Sequence, residues 1–177
     1  MKKIDLIKIM FLAGTIYAYI KGYGYYQQGE GETCVAWTML CALSLLLFFR
    51  RLIRGRYLRM SMKKVDKLSG RTFEKYLAVH FRHLGYRVKL TEFSHDYGAD
   101  LILKKHGEKI VVQAKRYEKN VGIAAVQEAV GSIAYYDADR AMVVTNSGFT
   151  KSARNLARQN EVELWGREEI RKKFRIR

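Results

Sequence analysis

Residues 34–49 (CVAWTMLCALSLLLFF) run for 16 positions without a charge, a proline or a glycine. A bilayer span needs roughly 20 apolar residues, with a lower limit near 17. An earlier run, residues 9–20 (IMFLAGTIYAYI), is 12 long. It reaches spanning length only if extended back through Lys8 and Asp5 to Ile4, with lysines near the helix end snorkelling to the headgroups. Two transmembrane helices are therefore expected, over about 4–20 and 33–49. For residues 9–20 the competing reading is an uncleaved signal sequence or an interfacial helix; no A-x-A-like cleavage site follows.

The flanks set the orientation. Residues 50–64 carry seven Lys/Arg and no acid, whereas the connector KGYGYYQQGEGE has one Lys and two Glu. The positive-inside rule puts both flanks, both termini and the following domain on the cytoplasmic side of the inner membrane. Tyr17, Tyr19, Tyr23, Tyr25 and Tyr26 fall at the outer boundary, where amphipathic rings prefer to sit. The expected organisation is a transmembrane helical hairpin over 1–52, a basic juxtamembrane linker over 53–65 and a soluble domain over 66–177. Cys34 and Cys41 lie on one face of the second run as small packing residues, and no zinc-knuckle spacing exists. His80 and His83 can share a helix face but lack further ligands.

Net charge is +16. Residues 1–64 hold 11 basic and 3 acidic residues, and residues 65–177 hold 22 and 14, so each part carries +8. Topology and anionic lipid explain the first excess. The second favours a polyanionic partner, nucleic acid first; on charge alone a solvated surface held near an anionic leaflet is an equal alternative.

Within the soluble part, Phe73, Leu77, Phe81 and Leu84 recur at helical spacing over 71–84, with Ser69 as N-cap and Gly85 after the last turn. Strands are expected over 86–92, 99–104 and 109–116, then a helix over 123–136 and a strand over 140–145. A helix over 150–160, a strand over 162–165 and a helix over 167–174 complete the order αβββαβαβα. Three strands that can meander, then one reached by a crossover helix, imply a mixed sheet with helices on both faces.

The chemistry concentrates in 70–116. Side chains two apart on a strand share a face, so Gln113 and Lys115 point the same way. They interrupt IVVxAx in what should be a buried strand. An unpaired amide or ammonium costs several kcal/mol there, roughly, without partners. A neighbouring strand can bring Asp100 beside them. Oxygen ligands with one ammonium suit metal-assisted phosphodiester cleavage. Each residue also has a bland reading taken singly: Asp100 as a turn aspartate beside Gly98, Glu74 as a solvated first-turn acid, Gln127 as helix surface.

The ordered pieces Gly70-x-x-Phe73-Glu74, Gly85-Tyr86, Asp96-Tyr97-Gly98-Ala99-Asp100-Leu101, Gln113-Ala114-Lys115-Arg116-Tyr117 and Val144-Thr145-Asn146 with Phe149-Thr150 resemble the Mrr-like restriction endonuclease domain. That domain is a branch of the PD-(D/E)xK nuclease superfamily. The resemblance spans roughly 66–170 and implies an α/β fold, a restriction-endonuclease-like mixed β-sheet flanked by helices with an αβββαβ core. It implies Mg2+ (or Mn2+) held by Asp100, Gln113, the carbonyl of Ala114 and Glu74, directly or through water. Lys115 would orient or deprotonate the attacking water and stabilise charge on the phosphate. Asp96 and Gln127 are possible accessory residues. Arg116, Tyr117, Lys119, Lys151 and Arg154, with Lys104, Lys105 and Arg158, are expected to meet DNA. A double-strand cut needs two sites, so a homodimer is expected. The reading is thus a membrane-anchored endonuclease restricting foreign or modified DNA; the alternative is an inactive DNA-binding or membrane-tethered scaffold on the same fold.

Overall fold

The computed structural model describes residues 3–29, 31–91 and 97–176, and the chain divides into two units, Met1–Arg56 and Tyr57–Arg177. In the first unit, α1 (Lys3–Gln27) and α2 (Gly31–Leu58) form an antiparallel pair. Phe11 meets Phe48, Thr15 Oγ1 lies 3.1 Å from Ser44 Oγ, and Tyr25 stacks on Trp37. Among the described residues of the pair, most large apolar side chains are exposed, Leu12, Ile20, Leu43 and Leu46 among them.

Two transmembrane helices were expected here, and this is corrected. Among the described residues one helix, Val35–Leu58, is long and apolar enough to cross a bilayer. Asp5, Lys8 and Lys21, with the tyrosines and glycines after Ile16, dilute the apolar character of α1. The basic stretch 53–65, expected as a juxtamembrane linker, is largely helical. α2 runs through it to Leu58, a short helix α3 (Met62–Val65) follows, and Met60, Met62 and Val65 are buried in the core of the second unit.

That core is built on a sheet of β1 (Arg87–Leu90), β2 (Leu101–Lys105), β3 (Glu108–Lys115), β4 (Arg140–Thr145) and β5 (Glu163–Trp165), in that spatial order. β1, β2 and β3 form an antiparallel meander; β3, β4 and β5 are parallel. The β2–β3 turn takes positive φ at both His106 and Gly107, as a two-residue hairpin requires. Strand alternation sorts the core into two layers. Ile110, Val112, Met142 and Val144 face α4 (Gly70–His83) and α7 (Arg167–Phe174), while Val111, Ala141 and Val143 face α5 (Ile123–Tyr136) and α6 (Lys151–Gln159).

α4 starts where Ser69 Oγ accepts from Thr72 N–H and ends where Gly85 takes φ +88°. Gly85 N–H donates to Arg82 C=O and Tyr86 N–H to Phe81 C=O, with the Tyr86 and Phe81 rings in contact. This is a Schellman ending with its apolar clasp. It aims the chain from α4 into β1.

Candidate active site

Glu74, Asp100, Gln113, Ala114 and Lys115 come from three elements. Asp100 sits immediately before β2, where its N–H donates to Val112 C=O (2.9 Å). This one bond fixes its side chain against the neighbouring strand: Ala114 N–H donates to Asp100 Oδ2 at 2.7 Å. The carboxylate therefore lies on the backbone between Gln113 and Lys115. Asp100 C=O accepts from both the N–H and the Oγ1 of Thr91, at 3.1 and 3.0 Å. Arg71 completes a chain from there to α4, donating to Thr91 C=O (3.2 Å) while pairing with Glu74, itself buried.

Gln113 and Lys115 share the face of Val111, toward α5. Gln113 is only 4% exposed, and its Oε1 has no hydrogen-bond partner. Such an unmet buried acceptor costs roughly 1–3 kcal/mol, so it persists where something else uses it. An amide oxygen on the strand that the Asp100 carboxylate bonds is of the donor type a hard cation takes. Among the described residues no three His, Cys, Asp or Glu side chains group closely enough to hold a metal by themselves. Asp100, Gln113 and the Ala114 carbonyl come from β3 and the approach to its neighbour β2, and Glu74 on α4 is linked to Asp100 through Arg71 and Thr91.

Lys115 Nζ lies 2.7 Å from Glu128 Oε2 on α5. Burial alone would lower the lysine's pKa. The Glu128 hydrogen bond and the charges of Glu128 and Asp100 outweigh it and hold the amine above its ordinary value. Lys115 is thus an ammonium under carboxylates from two sides. Gln127 is exposed; its neighbour, about 100° further round the helix, is the residue that reaches the strand. Asp96 lies outside the described residues.

The segment after Lys115 is pinned. Tyr117 N–H donates to Asn146 Oδ1 (2.9 Å), and Asn146 Nδ2 donates to Asp66 Oδ1 (2.9 Å). Arg167 grips both oxygens of Asp66 at 2.7 and 3.0 Å. That guanidinium, against the opposing effect of burial and with help from Asn146, keeps the Asp66 carboxyl below its usual range. Tyr117, Asn146 and Arg154, together with the acids Asp66, Glu118, Glu168 and Glu169, line an open cleft of about 700 Å3 past the carboxyl ends of the parallel strands; Glu74, Asp100, Gln113 and Lys115 do not line it. Ligands bind in such a place in open α/β sheets. Lys119 and Lys151 are exposed on the loop and helix start that border it, Ser147 Oγ donating to Lys119 C=O at 2.8 Å.

Other expected contacts fall elsewhere. Lys104 and Lys105 flank the β2–β3 turn, seven residues along β3 from Lys115, about 23 Å at strand rise. Lys105 is occupied there, its Nζ donating to Leu84 C=O and lying over the Tyr86 ring. The Nε of Arg116 is buried, and its guanidinium acts on Asp66. Sequence reasoning did not mark Glu128, Asp66 or Arg167. Their only local signal is charge, and each acquires a partner far along the chain.

Residues 65–174 match the restriction endonuclease family model Mrr_cat. The type IV methyl-directed restriction enzyme EcoKMrr of Escherichia coli (strain K12) is 43% identical over 54 residues, which cover 30% of this chain and 18% of that enzyme. The chain therefore matches less than a fifth of that relative's length. Among solved structures, MspJI restriction endonuclease in complex with a 27-mer oligonucleotide superposes with TM-score 0.49 at 20% identity, over 63% of this chain and 30% of that one. The protein of unknown function AF1548 gives TM-score 0.46 at 14% identity, over 52% and 55%.

Proposed function

This chain belongs to the restriction endonuclease family, and on that premise we propose that it is a membrane-anchored, Mg2+-dependent DNA endonuclease. The observation that carries the proposal is the Asp100 carboxylate bonded to the strand between Gln113 and Lys115. Asp100, Gln113 Oε1, the Ala114 carbonyl and Glu74 would hold the ion. When bound, Mg2+ or Mn2+ supplies charge neutralisation on the phosphate and acidification of water.

The chain's own residues do the rest. Lys115, paired as an ammonium, donates to the scissile phosphate or to the attacking water; it stabilises charge there and is not a proton acceptor. The Asn146–Asp66–Arg167 network keeps the strand exit at Tyr117 in register. Lys119, Lys151 and Arg154 take neighbouring phosphates along the cleft edge. EcoKMrr, as its name says, is methyl-directed, and restriction of modified DNA is the reading adopted for this chain. Two copies would together cut both strands.

The apolar Val35–Leu58 helix, none of its apolar window buried, supports the anchor. The charge-free run of α2, residues 34–49, is 16 long and spans about 24 Å, so it crosses a hydrocarbon core of about 30 Å with Arg50 and Arg51 snorkelling to the headgroups. The cluster of basic residues over 50–64 supports a cytoplasmic domain.

The test is supercoiled plasmid incubated with the full chain in detergent, with Mg2+ or Mn2+ against EDTA, for wild type and Lys115→Ala. Divalent-dependent nicking by wild type and its loss in the variant are expected. Undiminished cutting by Lys115→Ala would remove that residue's role. Tight binding without cutting by wild type would leave a scaffold.

A further inference from the structure

We infer that Glu128 is the positioning residue of this site: one position on α5 that sets both the lysine and the loop bearing the central carboxylate. The inference rests on the nuclease reading above and adds a residue to it. Two independent contacts meet at Glu128. Its Oε2 holds Lys115 Nζ at 2.7 Å, with the lysine side chain 22% exposed and the glutamate 41%. Its main chain meets the other strand's loop: a Cβ placed on Gly98 would lie 2.3 Å from Glu128 O and 2.9 Å from its carbonyl carbon. Gly98 has φ +85° and stands two residues before Asp100. The loop can press against α5 only because that position is glycine.

The energetics say what such a pair is for. A partly exposed ion pair contributes little to stability, about 0–1 kcal/mol. A lysine is a long side chain with several rotatable bonds, and a reacting group displaced by an ångström loses rate steeply. The groups facing Lys115 are Glu128 from α5, Asp100 from the loop before β2, and Tyr117 from its own strand exit. Asp100 Oδ2 accepts from the Ala114 N–H, and Glu128 Oε2 is the carboxylate oxygen 2.7 Å from the ammonium, placed to aim it. Glu128 touches no substrate; it acts through Lys115.

The test is a double-mutant cycle on the full chain in detergent, reading kcat and KM for plasmid nicking with Mg2+, for Glu128→Gln, Glu128→Asp, Lys115→Ala and Lys115→Ala/Glu128→Gln. Glu128→Gln is expected to lower kcat ten- to a hundredfold, with KM and melting temperature close to wild type. Glu128→Asp is expected to recover part of that loss. Adding Glu128→Gln to Lys115→Ala is expected to slow the enzyme no further. A Glu128→Gln enzyme with wild-type kcat, a loss confined to KM, or a further slowing of Lys115→Ala would each overturn the inference while leaving the nuclease reading intact. A wild type that cuts nothing would overturn both.

Discussion

Gln113→Leu is expected to make the metal-free protein more stable while disabling it. In the wild type the Gln113 Oε1 is buried and without a hydrogen-bond partner. Leaving such an acceptor unmet costs roughly 1–3 kcal/mol. Leucine fills nearly the same volume on a face already lined by Val111, Val126 and Ala129, and brings no polar atom. The expected gain in EDTA is about 1–2 kcal/mol, or roughly 3–8 °C in melting temperature for a unit of this size. With Mg2+ the order reverses. A ligand bound only by the folded state stabilises by about 2.7 kcal/mol at a hundredfold excess over Kd. Wild type should show such a gain and the variant much less. The assay is thermal unfolding of both proteins by aromatic circular dichroism, in EDTA and across a Mg2+ titration, alongside plasmid nicking. A variant that melts several degrees below wild type in EDTA would mean that the amide is well bonded in the folded state. Equal responses to Mg2+ would mean that its oxygen is no metal donor.

Gly98→Ala should destabilise the second unit by about 2–4 kcal/mol, since the new Cβ meets Glu128 main chain and the backbone φ is positive; an unchanged urea midpoint would contradict the close packing. His80 gives a pH dependence: burial against Tyr76 and Phe174 depresses its pKa from 6.5 to about 4. The unfolded chain then takes up the proton first, so stability is full above pH 6.5 and falls as pH drops towards 4, by up to about 3 kcal/mol. Urea titrations at pH 7.5 and 4.5 check this, and His80→Phe should flatten the slope. Lys151→Ala with Arg154→Ala should weaken DNA binding and reduce the slope of log K against log salt by about 2; an unchanged slope would place the DNA elsewhere.

Local pattern reached far into this fold. The helix over Ile123–Tyr136, the strand over Arg140–Thr145 and the helix over Arg167–Phe174 have the bounds that periodicity and turn residues indicated. The period-2 placement of Gln113 and Lys115, with Asp100 on the preceding strand's approach, also stood in the residue order. What was not legible depends on register between distant segments. Glu128 rather than Gln127 meets Lys115 because of how α5 is rotated over β3, which the helix's own polar positions do not encode. That Lys104 and Lys105 lie at the other end of the sheet from Lys115 follows from the β2–β3 pairing. Met60 and Met62 read as part of a basic linker, because their burial comes from a core supplied by residues far downstream.

The most direct test is supercoiled plasmid with Mg2+, cut by wild type and by Asp100→Asn, at equal protein and with folding checked by circular dichroism. Asparagine keeps an acceptor for the Ala114 N–H and removes the negative charge that a dication requires. Wild type should nick the DNA and Asp100→Asn should be slower by a factor of a hundred or more, roughly, the loss expected on removing a dominant electrostatic contact. A folded Asp100→Asn protein that cuts as fast as wild type would contradict a metal-holding notch between these strands.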